Sequence, residues 1–307
     1  MASAIGIRVY RIGVHLKGST KALALEGEDG TPSVTAFIEN FINSHLTAMQ
    51  DAAAERSWYF EERGTQEPQC KRGYVHYGTY GFESNFIDVT TKQKNYRRLT
   101  TDIEEIPLFY EFWCPPGQKV GFAAFQSFQG RSCIHRVMKQ MREQFEKANS
   151  GYILSCRKVL PNDAKGTALY SAPVKRLRLV RRKASSDAAD RYFDNPSPDV
   201  IDIELTMSAR RNKSLGNLAS LMKSLKGGTS SVVTHDGIDF PEATAVIKVG
   251  NRTRSVGVLG VNSDAGVIDL TDVIVRASDG HPTFESLKKE TDEILKDFNG
   301  TLNGDHS

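Results

Sequence analysis

Apolar and polar positions change period several times along this chain, and each change marks a predicted element. Ile5 to Ile12 alternates and ends near Gly13, the pattern of a half-buried strand. After a loop punctuated by Gly18, Gly27, Gly30 and Pro32, the period becomes helical. Phe37, Ile38, Phe41, Ile42, Leu46 and Met49 form one stripe, which predicts a helix from Val34 to Glu55 capped by Ser33 or Thr31. From Trp58 to Phe128 alternation returns. Ser57–Phe60, Gly73–Phe82, Phe86–Thr91, Tyr96–Thr101, Ile106–Trp113 and Val120–Phe128 read as strands, with Lys92–Lys94 and Pro115–Gly117 as turns. This predicts an antiparallel meander of four or five strands. A helix from about Ser132 to Ala148 follows, with Ile134, Val137, Met138, Met141 and Phe145 inward.

The C-terminal part begins with a predicted strand, Val200–Met207, and a helix from about Leu215 to Leu225 stopped by Gly227 and Gly228. Ala245–Val249 and Arg254–Val261 bracket the hairpin signal Gly250-Asn251. Val267–Ala277 reads as another strand, and Pro282 opens a last helix. The fold class expected is α+β: an antiparallel meander sheet with packed helices, then a smaller mixed α/β domain. The expected boundaries are 1–166 for the first domain, 167–198 for a junction, 199–299 for the second domain and 300–307 for a frayed tail.

Between the two parts lies Val174 to Lys183, with six basic residues, no acidic ones and four aliphatics. Strand spacing places Leu177 and Leu179 on one face and Arg176, Arg178 and Arg182 on the other with Val180. Guanidinium groups are planar, always charged and suited to phosphate, so the row is a candidate nucleic-acid contact. The alternative is a solvated edge strand, since charge on an edge discourages aggregation. Lys175, Arg181 and Lys183 extend the basic run, and Arg210, Arg211, Lys213, Lys223 and Lys226 form a second set after Val200–Met207. If the two strands are neighbours, both sets reach one surface.

Charge strengthens this picture more than composition does. The 307 residues are 39% hydrophobic and 25% charged, ordinary for a globular protein, and the net charge is only +3. Yet Ser171–Lys226 holds twelve Lys/Arg against six Asp/Glu, a local +6 that leaves −3 for the rest. The four cysteines, Cys70, Cys114, Cys133 and Cys156, form no CxxC pair, which argues against a zinc or redox motif. The first residues lack the apolar core of a signal peptide, and no apolar run approaches the 18 or so residues of a membrane span, so a cytoplasmic location is expected.

Catalytic signatures are missing. The sequence contains no G-x-S-x-G, P-loop, G-x-G-x-x-G or H-E-x-x-H, and no cofactor or metal is expected. Asp199, Asp202 and Glu204 could begin a two-carboxylate nuclease site, but the lysine such a site uses is out of register. Arg131 and His135 lie one helical turn apart and could suggest an RNase pair, which needs a shared cleft. Tyr74, Tyr77, Tyr80 and Phe82 could stack bases, or pack a sheet face.

Ile106–Trp113 followed by Gly117–Gly130, with a Gly-Phe-Ala strand start and a glycine opening a helix, resembles RexA-like phage-exclusion proteins over roughly residues 100–225. The order of basic strand, Asp-rich strand and helix is similar too. The resemblance implies a cytoplasmic DNA-binding sensor that dimerises and signals to an effector protein, with DNA contacts from the basic residues named above. A non-enzymatic nucleic-acid-binding protein with weak sequence preference, preferring DNA to RNA, is therefore the leading expectation. A metal-dependent nuclease and a protein-interaction scaffold with a basic surface are the alternatives.

Overall fold

The computed structural model describes residues 5–28, 30–65, 67–159, 168–182, 202–226, 232–249, 252–259, 267–271 and 273–302. The protein is mixed α and β, built on antiparallel pairing, and the chain divides into two compact units. One is Arg11–Cys156, here the meander unit. The other joins residues up to Tyr10 with those from Arg157 on, here the split unit. The first strand, β1 (Ile5–Leu16), runs four residues further than its alternation predicts. It gives Ile5–Tyr10 to the split unit and Arg11–Leu16 to the meander unit.

In the meander unit, α1 (Val34–Asn43) is capped by Ser33, whose hydroxyl accepts from the Ala36 N–H at 3.1 Å. The helix is shorter than its apolar stripe suggests. Ser44 Oγ and His45 Nδ1 both contact the Phe41 carbonyl, at 2.9 and 2.7 Å, and take up the last turn. Leu46 and Met49, placed on the helical stripe by spacing, are instead exposed. The chain turns into β2 (Met49–Asp51), then β3 (Arg56–Glu62) and β4 (Cys70–Thr79). β5 (Ser84–Ile87) and β6 (Lys94–Arg98) form a two-stranded ribbon of their own, so they leave the expected meander. β7 (Glu104–Trp113) then returns to pair with β4, and β8 (Gly121–Phe128) follows it. The strand order is β2-β3-β4-β7-β8-β1. α2 (Ile134–Ala148) and β9 (Tyr152–Lys158) complete this part of the chain, and β9 pairs with β1.

Aromatic residues form the core here. Phe60 meets Tyr110 at 4.8 Å and Phe41 at 5.9 Å, and Phe37 of α1 meets Phe145 of α2 at 5.0 Å. Burying each large apolar side chain contributes about 1.5–3 kcal/mol of transfer free energy. Gly73 is fixed by this packing, because a Cβ there would lie 1.9 Å from the Glu61 carbonyl oxygen. Tyr74 is buried in the sheet, and Tyr77 accepts a hydrogen bond from Arg56 at 3.0 Å. The Tyr/Gly-rich strand therefore packs the sheet. Of its aromatics weighed for base stacking, only Phe82 is strongly exposed.

The split unit contains α3 (Ala168–Ser171), β10 (Val174–Arg181), β11 (Ile203–Ser208) and α4 (Leu218–Lys226). Next come β12 (Val233–His235), β13 (Ile238–Phe240), β14 (Glu242–Val249), β15 (Arg252–Leu259), β16 (Val267–Asp269) and α5 (Phe284–Leu302). Its sheet runs β11-β10-β14-β15-β16-β1, and β12 and β13 form a separate hairpin that the sequence pattern did not announce. α4 starts later than its leucine stripe predicts. Asn217 Oδ1 accepts from the Ser220 N–H at 2.7 Å and sets the cap, leaving Leu215 outside and exposed. β16 also ends early. Asp269 Oδ1 turns back to accept from the Thr271 N–H and hydroxyl, at 2.8 and 2.6 Å, so the strand expected through Ala277 stops.

Candidate nucleic-acid interface

The basic stretch is a strand, as its alternation predicts. Leu177 and Leu179 are buried at 8% and 0% exposure, while Arg176 and Arg182 are exposed and Arg178 is partly so. β10 is not an edge, however. It pairs antiparallel with β11 on one side and β14 on the other, which removes the edge-strand explanation for its charge. A bulge between Val174 and Arg176 shifts the register against β14 at the start of the strand.

The pairing with β11 brings Asp202 and Glu204 beside the arginines. Arg178 lies opposite Thr206 and reaches diagonally to Glu204, its Nε 3.0 Å from Oε2 and its Nη2 bonded to Oε1. That bidentate guanidinium holds the Glu204 carboxyl below the usual glutamate range. Arg182 lies 3.4 Å from Asp202 and 3.5 Å from Glu242 of β14. Arg181 donates to the Asp239 carbonyl at 3.3 Å. The far half of the guanidinium row is thus matched by carboxylates, and Asp202 and Glu204 are engaged by arginines. Among the described residues no three His, Cys, Asp or Glu side chains form a metal-binding group.

The near end differs. β11 runs into a loop, Ala209–Gly216, which is bound to the start of β10. The Ala209 N–H donates to the Lys175 carbonyl at 2.8 Å, Lys175 Nζ to the Lys213 carbonyl at 2.6 Å, and the Leu215 N–H to the Val174 carbonyl at 2.8 Å. Asn212 takes φ +60°, a left-handed conformation that asparagine tolerates better than most residues, and tightens the turn. On this loop Arg210, Arg211 and Lys213 are exposed. Together with Arg176 they have no carboxylate partner among the described residues. A depression of about 340 Å³ adjoins them, lined in part by Lys175, Arg176, Ser208, Ser255 and Asp269.

Lys223 is exposed on α4. Lys226 closes the same helix, its side chain outside the described residues, as are Lys183, Asp199, Pro196–Pro198, Gly227-Gly228 and Gly250-Asn251. The second candidate pair is not assembled as an acid and a base. Arg131 is bound to Glu104 at 2.5 Å, while His135 opens on a different groove, beside Asp51 and Arg136. Sequence reasoning missed Glu242 as a partner of Arg182. The signal for the Asp202 and Glu204 pairings was present, since acids at positions two apart suit a neighbouring strand with arginines at the same spacing.

No protein-family model matches the chain, and no curated protein matches its sequence. No helix among the described residues is long and apolar enough to cross a membrane.

Proposed function

We propose that this chain is a non-enzymatic nucleic-acid-binding protein whose interface is the start of β10 and the Ala209–Gly216 loop. One observation carries the reading: Arg176, Arg210, Arg211 and Lys213 are exposed and lack carboxylate partners among the described residues, on a backbone fixed by three hydrogen bonds. Pre-positioned cations of this kind release counterions from a phosphate backbone, which supplies most of such affinity. The contacts come from a strand and a turn and reach phosphates, so sequence preference is weak. The resemblance to RexA-like phage-exclusion proteins extends the proposal to a cytoplasmic, dimeric DNA sensor in phage defence that signals to an effector protein.

The test is a binding series on duplex DNA, single-stranded DNA and RNA at several salt concentrations. Each phosphate contact adds roughly 0.9 to the slope of log affinity against log salt on duplex DNA. Replacing Arg176, Arg210 and Arg211 by Ala should lower that slope by about 2.7, nearly equally on unrelated sequences, with little change in melting temperature. A folded triple variant with the parental slope would refute the assignment. The same preparations with Mg²⁺ or Mn²⁺ should show no strand cleavage; cleavage lost in Asp202→Ala or Glu204→Ala would establish the nuclease instead.

A further inference from the structure

Twelve large apolar side chains are strongly exposed among the described residues, and seven of them lie between Phe82 and Ile103. That concentration falls on the β5–β6 ribbon and its base. The two strands pair only with each other among the described residues. A two-stranded hairpin that buries little is marginal in water, so what holds this one open to solvent matters.

Its base is clamped by Arg98, which is 2% exposed. Arg98 donates to the Glu104 carboxylate at 3.0 Å, to the Asp102 carbonyl at 3.3 Å and to the Thr79 carbonyl. The Phe82 ring lies on this guanidinium, 4.2 Å from its carbon. Phe86 stands directly opposite Tyr96, and Ser84 opposite Arg98, so Phe86 and Tyr96 share the ribbon face that carries Arg98. The two rings are 6.0 Å apart, and the Tyr96 hydroxyl is bonded to Asp102, which fixes its ring. Phe82, Phe86 and Tyr96 nonetheless remain 48%, 46% and 52% exposed.

The charges around these rings are sorted by sign. Asp88 accepts from the Thr90 and Thr91 N–H groups, Glu83 is paired with Arg97 at 2.6 Å, and Asp102 accepts from the Leu99 N–H at 2.7 Å. The carboxylates are engaged within the ribbon. Lys92 and Lys94 at the tip are exposed and have no carboxylate partner among the described residues.

We infer that the β5–β6 ribbon is a stacking platform for single-stranded nucleic acid, with bases on Phe82, Phe86 and Tyr96 and phosphate on Lys92 at the tip. Fixed, exposed rings offer π-faces that any base can cover, and the tip lysine supplies the backbone contact. Duplexes hide their base faces, so the platform selects single strands. The inference rests on the nucleic-acid reading above and adds a ligand class to it.

The experiment compares the parent, Phe86→Ala/Tyr96→Ala, Ile87→Ala on the opposite ribbon face, and the Arg176/Arg210/Arg211 triple variant. Fluorescence anisotropy is read on a thymidine oligomer and on a duplex, with the mass of each protein taken by light scattering. The aromatic double variant should bind the oligomer at least about tenfold more weakly at an unchanged salt slope, and bind the duplex like the parent. Ile87→Ala should bind both like the parent. If the aromatic variant keeps the oligomer affinity while the triple variant loses salt slope, the platform falls and the basic interface stands. If the parent binds neither ligand, both fall. An equal loss in Ile87→Ala, or a lower mass in the aromatic variant, would make the ribbon a protein-docking surface and overturn the inference.

Discussion

Glu204→Gln is expected to make this protein bind nucleic acid more tightly, although it touches no proposed contact. In the parent, Arg178 gives two of its donors to the Glu204 carboxylate, and Arg182 is shared between Asp202 and Glu242. A guanidinium so neutralised recruits little phosphate. Removing the Glu204 charge frees Arg178, and adding Asp202→Asn and Glu242→Gln frees Arg182. Each released cation that finds a phosphate adds about 0.9 to the salt slope, so the triple variant should steepen it by up to about 1.8. Over a fourfold rise in salt, that difference amounts to roughly tenfold in affinity. The cost to the fold is small. These are surface pairs, with Arg178 and Glu204 both more than two-fifths exposed, and such pairs contribute about 0–1 kcal/mol.

Acid should mimic the substitution. The Glu204 carboxyl is held below the ordinary glutamate range by Arg178, so the pair stabilises the fold above that range and is lost as pH falls through the depressed value. Binding by the parent should therefore strengthen on acidification past the ordinary range, and Glu204→Gln should lack that step. The assay is anisotropy at fixed salt across pH, repeated at four salt concentrations. Parental slopes in the neutralised variants would show that Arg178 and Arg182 lie away from the bound phosphates and would confine the interface to the start of β10 and the loop.

Two further outcomes test the packing. Arg98→Ala removes the donor that joins β5–β6 to Thr79, Asp102 and Glu104, and should cost about 2 kcal/mol through partners left unpaired, read as a lower melting temperature and as lost amide protection in β5 and β6. Burial pushes the Cys70, Cys114 and Cys133 thiols up to about 12, so a thiol reagent at pH 8 should leave them unlabelled in the native protein and label all three in denaturant; rapid native labelling would contradict their placement in the core.

Much of this architecture was legible from period alone. β10, α2 and most of the meander strands fall where their apolar spacing predicts, because burial of one face dictates that spacing. The misplaced termini of α1, α4 and β16 share a cause: a local hydrogen bond overrode the pattern. Ser44 and His45 ended α1 although Leu46 and Met49 continued its stripe, and Asp269 turned the chain although Ile274 continued an apolar run. The candidate site was half visible. Leu177 and Leu179 against the arginines could be read from alternation, but which strand would bring carboxylates to Arg178 and Arg182 depends on sheet order, which spacing does not encode. The departure of β5–β6 from the meander was hidden for the same reason.

The division of β1 between two units has a consequence for synthesis. Arg11–Cys156 is a continuous stretch and can condense as soon as it leaves the ribosome, but Ile5, Ile7 and Val9 belong to a sheet whose other members come later. Gly6, Ile7 and Arg8 pair with Asp269, Ile268 and Val267, more than 250 residues downstream. At roughly 5–20 residues per second, the stretch from Arg157 to β16 takes on the order of ten seconds to emerge. For that interval the edge of Gly6–Arg8 that β16 will cover stays open on the nascent chain, a natural point for chaperone capture or for mispairing between neighbouring nascent chains.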